Sequence, residues 1–189
     1  MAKSKRNVKA KKTINTFSCL LSGAGHLLEK AEENQIGHYY NCMASMIFCA
    51  FTMVAYVKHI GSMFVEDWKT SERKWSPKVK LKKVASTLKM PVDYSIRPFS
   101  SFRVLFDFCN NLAHGKTEIL VVDNIQLLDN GDDPELPESP WQSQNTIENA
   151  KEYFKDTQDM IGKIHACAKL NPLYLHIPEI SDWIITDAK

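Results

Sequence analysis

The chain has 189 residues, of which 44% are hydrophobic and 24% are charged, so it is long enough for one buried core and short for two. Five cysteines without a Cys-x-x-Cys pair argue against a disulfide framework and a zinc ribbon, and they indicate a reducing cytoplasm. Residues 1–116 carry 19 Lys and Arg against 8 Asp and Glu, whereas residues 117–189 carry 5 against 14. The first part suits a polyanionic partner, and the second would repel one.

Residues 1–12 are basic and run into amphipathic sequence, which is not the pattern of a secretory signal. We expect a disordered tail there, followed by a single domain over residues 13–189. The first helix of that domain is predicted from about Ile14 to about Ala31, with Gly23 and Gly25 weakening its middle.

The second predicted helix, from about Ile36 to Phe64, is the hydrophobic centre of the sequence. No charged residue lies between Glu33 and Lys58, a length that invites a membrane interpretation. Because polar residues interrupt the stretch, we expect a core helix and no membrane association. His38 and Cys42 are one turn apart, but no second pair has metal-ligand spacing, so we expect no metal and no cofactor.

A basic helix is predicted next, up to about Lys89, because Ser76 is a good N-cap and Pro77 suits the first helical position. Val79, Leu81, Val84 and Ala85 are predicted to face the core. The basic side chains either form a solvated face or contact phosphates, and the three singled out for phosphate binding are Lys78, Lys82 and Lys83.

The helix predicted over residues 97–114 presents two different faces. Its expected buried side chains are Phe99, Phe102, Phe106, Cys109 and Ala113, all at helical spacing. Its other face carries Arg103, Asp107, Asn110 and His114. Gly115 is the expected C-cap, so His114 lies where carbonyl groups lack partners. A functional role for His114 and Asn110 competes with simple helix capping, and Cys109 reads as a buried thiol.

The remaining residues are predicted to form an insertion, a helix and a tail. The insertion, residues 117–142, comprises a short β-hairpin of Glu118–Val122 and Ile125–Leu128 and then an acidic, proline-rich loop. A long helix over residues 145–170 follows. The apolar tail, residues 171–189, is expected to pack on the domain or against a second copy.

The segment Phe108–Gly115 resembles the end of the motif helix in HEPN domains, in which an Arg, a polar residue that is often Asn, and then a His recur. Asn110 and His114 match this motif, and Cys109 stands where the family has its Arg. The resemblance covers residues 13–116. It implies an all-α, HEPN-like bundle of four to five helices, here with a short β-hairpin insertion, that acts as a homodimer.

The resemblance also implies a function, namely RNA binding or metal-independent RNA cleavage in a prokaryotic toxin–antitoxin or defence setting, with an antitoxin or another defence protein as partner. His114 would move a proton, Asn110 would position it or the substrate, and Lys116 and Arg103 would contact phosphates. An imidazole titrates near neutral pH, and a guanidinium holds phosphate oxygens in a fixed fork. A thiol at position 109 does neither, so cleavage is expected to be weakened or lost. The alternative is a non-catalytic dimerisation or interaction module without nucleic-acid binding.

Overall fold

The fold is known from a computed structural model, which describes residues 5–123, 129 and 133–187. It is a mostly helical bundle with one small antiparallel sheet of two strands. The helices are α1 (Thr16–Glu33), α2 (His38–Phe64), α3 (Trp68–Ser71), α4 (Pro77–Thr87), α5 (Phe99–His114), α6 (Pro140–Gln144) and α7 (Ile147–Cys167). Two short 3-10 turns, at Glu72–Lys74 and Pro172–His176, and the strands β1 (Arg6–Ile14) and β2 (Glu179–Asp187) complete the described elements.

Helix α2 is the centre of the bundle and packs against α1, α7, α4 and α5. Its side chains Met46, Cys49, Met53, Tyr56 and Ile60 have no exposed surface. By length and composition alone α2 is apolar enough to cross a membrane, and half of its most apolar window is buried within the bundle. The expected central helix is therefore present, and its neighbours in the bundle cover about half of its most apolar stretch.

Buried polar contacts join helices that are distant in sequence. Tyr56 on α2 donates a hydrogen bond to Nδ1 of His165 on α7 at 2.5 Å, and Nε2 of His165 donates to the carbonyl of Asn171 at 2.9 Å. Burial raises the pKa of the Tyr56 hydroxyl, which extends the pH range over which this group remains a donor. The chain that follows α7 is thereby attached to the central helix.

The two-stranded sheet differs from the sequence prediction in its location. Strand β1 covers residues 6–12 of the expected disordered tail and continues to Ile14, where the first helix is predicted to begin. It pairs along its whole length with β2, which lies in the predicted apolar tail. Glu118–Val122 form no strand, and the predicted second strand, Ile125–Leu128, lies outside the described residues. The lysine-rich sequence of β1 has little preference for a strand of its own, and backbone hydrogen bonds to the distant strand β2 hold it in that conformation.

The five long helices, α1, α2, α4, α5 and α7, are near their predicted places, whereas the short helices α3 and α6 exceed the predicted four to five. Ser76 accepts a hydrogen bond from the backbone of Val79 at 3.4 Å and Pro77 begins α4, as expected from the capping sequence. The buried faces differ in detail. On α4, Val79 is 39% exposed while Lys80 is buried. On α5, Leu105 and Phe108 are buried, whereas Phe106 and Ala113, which are predicted to be buried, are half-buried and exposed. Helix α5 touches both α2 and α7, and these two neighbours select which apolar side chains are covered.

Candidate functional site

Helix α5 carries the motif residues, and its first turn is held against α7. Asp156 of α7 is 6% exposed and accepts hydrogen bonds from the Ser101 hydroxyl and from Nε of Arg97, the latter at 3.2 Å. Arg97 also forms an ion pair with Glu152. With Phe102, Leu105 and Phe108 buried along the same helix, these contacts fix the direction in which the far end of α5 points.

The far end of α5 is set by Gly115. A Cβ at this position would lie 2.7 Å from the carbonyl oxygen of Asn111, closer than a side chain tolerates. Position 115 therefore favours glycine. The helix ends at His114, whose imidazole is exposed. Within the described part of the chain, the side chains of Asn110, His114 and Lys116 have no hydrogen-bonding or ion-pair partner, so their polar atoms are open to a ligand.

The end of α5 and the start of α6 enclose a cleft of about 380 Å³. Its lining comprises Asn110, Asn111, His114, Gly115, Lys116, Glu118, Pro140 and Trp141. The cleft thus combines two amides, an imidazole, an ammonium group, a carboxylate and an indole. Three of the residues singled out by the motif, Asn110, His114 and Lys116, lie together in it.

Cys109 is not part of this lining. It is half-buried against the hydrophobic core, and burial raises the pKa of its thiol to about 11. At neutral pH the group is therefore a protonated thiol, which is a weak donor and a poor nucleophile. Its side chain and that of His114 are five residues apart on one helix, about 140° around its axis.

The other proposed phosphate contacts lie away from the cleft. Arg103 is about 16 Å from His114 along α5 and forms an exposed ion pair with Asp107 at 3.8 Å. Lys78 lies over the ring of Tyr94 and Lys83 over that of Trp75, with Nζ 5.3 and 4.4 Å from the ring centres. Lys82 is exposed on the same helix, α4, which packs on α2. These four residues do not complete the His114 site within one chain.

Sequence reasoning missed Trp141, Asn111 and Glu118 as site residues. Trp141 reaches the cleft because Pro140 begins α6, and the backbone N–H of Ser139 donates to Oε1 of Gln142 at 3.0 Å to cap that helix. Asn145, just after α6, donates to the carbonyl of Tyr39 at 2.9 Å and fixes α6 to α2. Ser139-Pro140 is a local sign of a helix start, but the position of Trp141 beside α5 depends on these distant contacts.

Among the described residues, no three His, Cys, Asp or Glu side chains lie close enough together to hold a metal ion. His38 and Cys42, the pair with ligand spacing in the sequence, interact with groups of the protein itself. His38 donates from Nδ1 to the carbonyl of Ala31 at 2.8 Å, and its Nε2 lies 3.8 Å from the sulfur of Cys42.

Comparison with protein-family models, with curated proteins and with solved structures finds no match to this chain.

Proposed function

We propose that the protein is an HEPN-like RNA-binding protein that holds single-stranded RNA in the cleft at the end of α5, with ribonuclease activity weakened or lost through Cys109. The supporting observation is that the cleft places Asn110, His114 and Lys116 beside the half-buried indole of Trp141. A toxin or defence role in a prokaryotic cytoplasm, with an antitoxin or another defence protein as partner, belongs to the same proposal.

The residue types in the cleft suit an unpaired nucleotide. An indole provides a stacking surface for a base, and Lys116 provides a point charge for a phosphate. The amides of Asn110 and Asn111 can donate to and accept from the edge of a base, and Glu118 can accept a hydrogen bond from an exocyclic amine or a 2′-hydroxyl. Single strands expose these groups, whereas a duplex hides most of them.

The lining of the same cleft contains no guanidinium for catalysis. His114 can accept a proton from the attacking 2′-hydroxyl or return one to the leaving oxygen. Charge that gathers on the phosphorus needs a preorganised donor, and the thiol of Cys109 faces the core instead. Binding with slow or no cleavage is the expected behaviour.

The binding part of this proposal is tested by fluorescence anisotropy with a labelled single-stranded RNA. Trp141→Ala should weaken binding by about 1–3 kcal/mol through lost stacking. Lys116→Ala should reduce the slope of log affinity against log salt by about one. Lys155→Ala removes an exposed lysine from α7 outside the cleft and serves as the control. Equal affinities for all four proteins would contradict the proposed site.

The cleavage part is tested by restoring a guanidinium. Cys109→Arg places it at the position of the family Arg, and because Cys109 is half-buried, Asn111→Arg is a second variant that places it on the cleft wall. With a chelator present, at least one variant should cut RNA roughly 10²–10³-fold faster than the natural protein. His114→Ala in the same background should abolish the gain. If neither variant cuts, or if cutting survives without His114, latent ribonuclease chemistry is ruled out.

A further inference from the structure

The strands β1 and β2 form a ribbon that stands on the bundle with both faces in water. The described contacts that attach it are at its base, where the backbone N–H and the side-chain amide of Asn15 donate to the carbonyls of Pro178 and Ile177, each at 2.7 Å. Isolated two-stranded ribbons are marginally stable in water. This ribbon nevertheless exposes large apolar side chains, with Trp183 and Ile184 each 66% exposed.

The register of the ribbon sorts its side chains into two faces. Val8 lies opposite Ile185 and Ala10 opposite Trp183, and because opposite residues share a face, these four side chains are on the same side. Lys9, opposite Ile184, and Lys11, opposite Asp182, are on the other side. The middle of one face is thus apolar, with the charged side chains of Arg6, Lys12 and Glu179 towards its ends, and no element covers it within the described residues.

The two edges of the ribbon differ in charge. Strand β1 carries Arg6, Lys9, Lys11 and Lys12, and lysines on an edge oppose the addition of another strand. Strand β2 has neither a lysine nor a proline along its nine residues. On each strand, alternate N–H and C=O groups point away from the partner strand. The described chain pairs no third strand with β2, so this edge is free to accept one.

We propose that β2 pairs antiparallel with β2 of a second copy of this chain, about a two-fold axis at Ile184, to form a four-stranded sheet. Pairing through β1 would set lysines against lysines, whereas pairing through β2 places the lysine-bearing strands on the outside. A two-fold axis perpendicular to the sheet keeps both apolar faces on the same side, where they form one larger surface.

The choice of register follows from the side chains that become opposite. With Ile184 on the axis, Trp183 lies opposite Ile185 of the partner subunit, which is a favourable aromatic and β-branched pair. Asp182 then lies opposite Thr186 of the partner subunit. With Trp183 on the axis, the carboxylate of Asp182 would instead face the apolar side chain of the partner's Ile184. The first register avoids this mismatch.

This interface goes beyond the proposed RNA site and is independent of it. The start of α5 lies beside the end of α7, where Nζ of Lys163 is 5.9 Å from the centre of the Phe99 ring, and the ribbon follows from that end of α7. The His114 cleft is at the opposite end of α5, beside the start of α6. The proposed interface therefore shares no residue with the cleft.

Sedimentation velocity over a concentration series tests the interface. The natural protein should sediment as a dimer, and Ile184→Lys should weaken dimerisation by at least about tenfold, because two lysines would meet on the axis. Ile36→Lys is the matched control, since Ile36 is 88% exposed in the turn between α1 and α2. Circular dichroism should show equal helix content in all three proteins. A natural protein that is monomeric up to about 100 µM, or an Ile184→Lys variant that dimerises equally well, overturns the proposal.

Disulfide trapping tests the register without relying on a destabilising change. Ile184→Cys is made with the exposed Cys19 and Cys167 replaced by serine. Opposite residues in antiparallel strands have Cα atoms about 4.5–5.5 Å apart, which suits a disulfide. Oxidation should give a covalent dimer with Ile184→Cys and none with Ile36→Cys. A failure of the Ile184→Cys protein to cross-link, or equal cross-linking of both proteins, overturns the two-fold pairing at Ile184, and neither result bears on RNA binding.

Discussion

The buried thiol of Cys49 makes the stability of this fold depend on pH. Its side chain has no exposed surface, and burial raises the pKa of the thiol to about 12, well above the ordinary value of 9.0. Above pH 9 the unfolded chain loses this proton while the folded chain keeps it. The folded state then binds more protons, so the free energy of unfolding decreases as pH rises.

The expected size of this effect is on the order of 2 kcal/mol of stability lost between about pH 9 and about pH 10.5. Cys49→Ala removes the titrating group and should show a shallower decline over the same range. Urea unfolding of both proteins at a series of pH values measures the difference. Parallel pH profiles would show that the Cys49 thiol does not contribute.

At the scale of elements, two glycines in helices predict opposite effects of the same substitution. A Cβ on Gly61 of α2 would overlap the ring of the buried Trp68, whereas a Cβ on Gly162 of α7 would meet no atom within 4 Å. Gly61→Ala should displace the indole and lower stability by about 1–3 kcal/mol. Gly162→Ala should raise stability by roughly 0.5–1 kcal/mol, because alanine loses less backbone entropy in a helix. Thermal unfolding of the two variants checks both signs, and a stabilised Gly61→Ala would contradict the packing described for Trp68.

The helices are the part of this fold that sequence patterns predict well. Ser76-Pro77 at the start of α4 is a local signal, and the Ser76 side chain caps the helix as expected. Gly115 follows the end of α5 without the left-handed conformation typical of a C-cap glycine. The buried stripe of α5 was less predictable. Both the third and the fourth residue after Phe102, Leu105 and Phe106, are apolar, so helical spacing alone does not say which is buried. Contacts with α2 and α7 decide which side chains are covered.

The sheet and part of the site depend on contacts that no local pattern reveals. The basic strand β1 has few apolar residues, and it becomes a strand through pairing with β2 more than 160 residues later. Trp141 enters the cleft because Asn145 binds the backbone of Tyr39 on a helix much earlier in the chain. The motif therefore located the end of α5 and its His114, and the tertiary structure supplied the opposite wall.

At the scale of the whole molecule, the bundle separates two surfaces of different chemistry. The polar cleft around His114 lies between the end of α5 and the start of α6, whereas the ribbon of β1 and β2 exposes apolar side chains such as Trp183 among its charged ones. The basic residues 1–116 and the acidic residues 117–189 do not correspond to these two surfaces. The lysines of α4 lie away from the cleft, and the ribbon joins a basic strand to a strand with three acidic residues. RNA binding and self-association are thus expected to be separable by mutation.

The central claim is that single-stranded RNA occupies the cleft between α5 and α6, and photo-cross-linking tests it most directly. An oligonucleotide containing 4-thiouridine is bound at low salt and irradiated, and the cross-linked peptides are identified by mass spectrometry. We predict cross-links within residues 110–118 or 140–144, strongly reduced in Trp141→Ala and unchanged in Lys155→Ala. Cross-links confined to other peptides, such as residues 77–89 of the α4 region, or no cross-linking at low salt, would contradict the account.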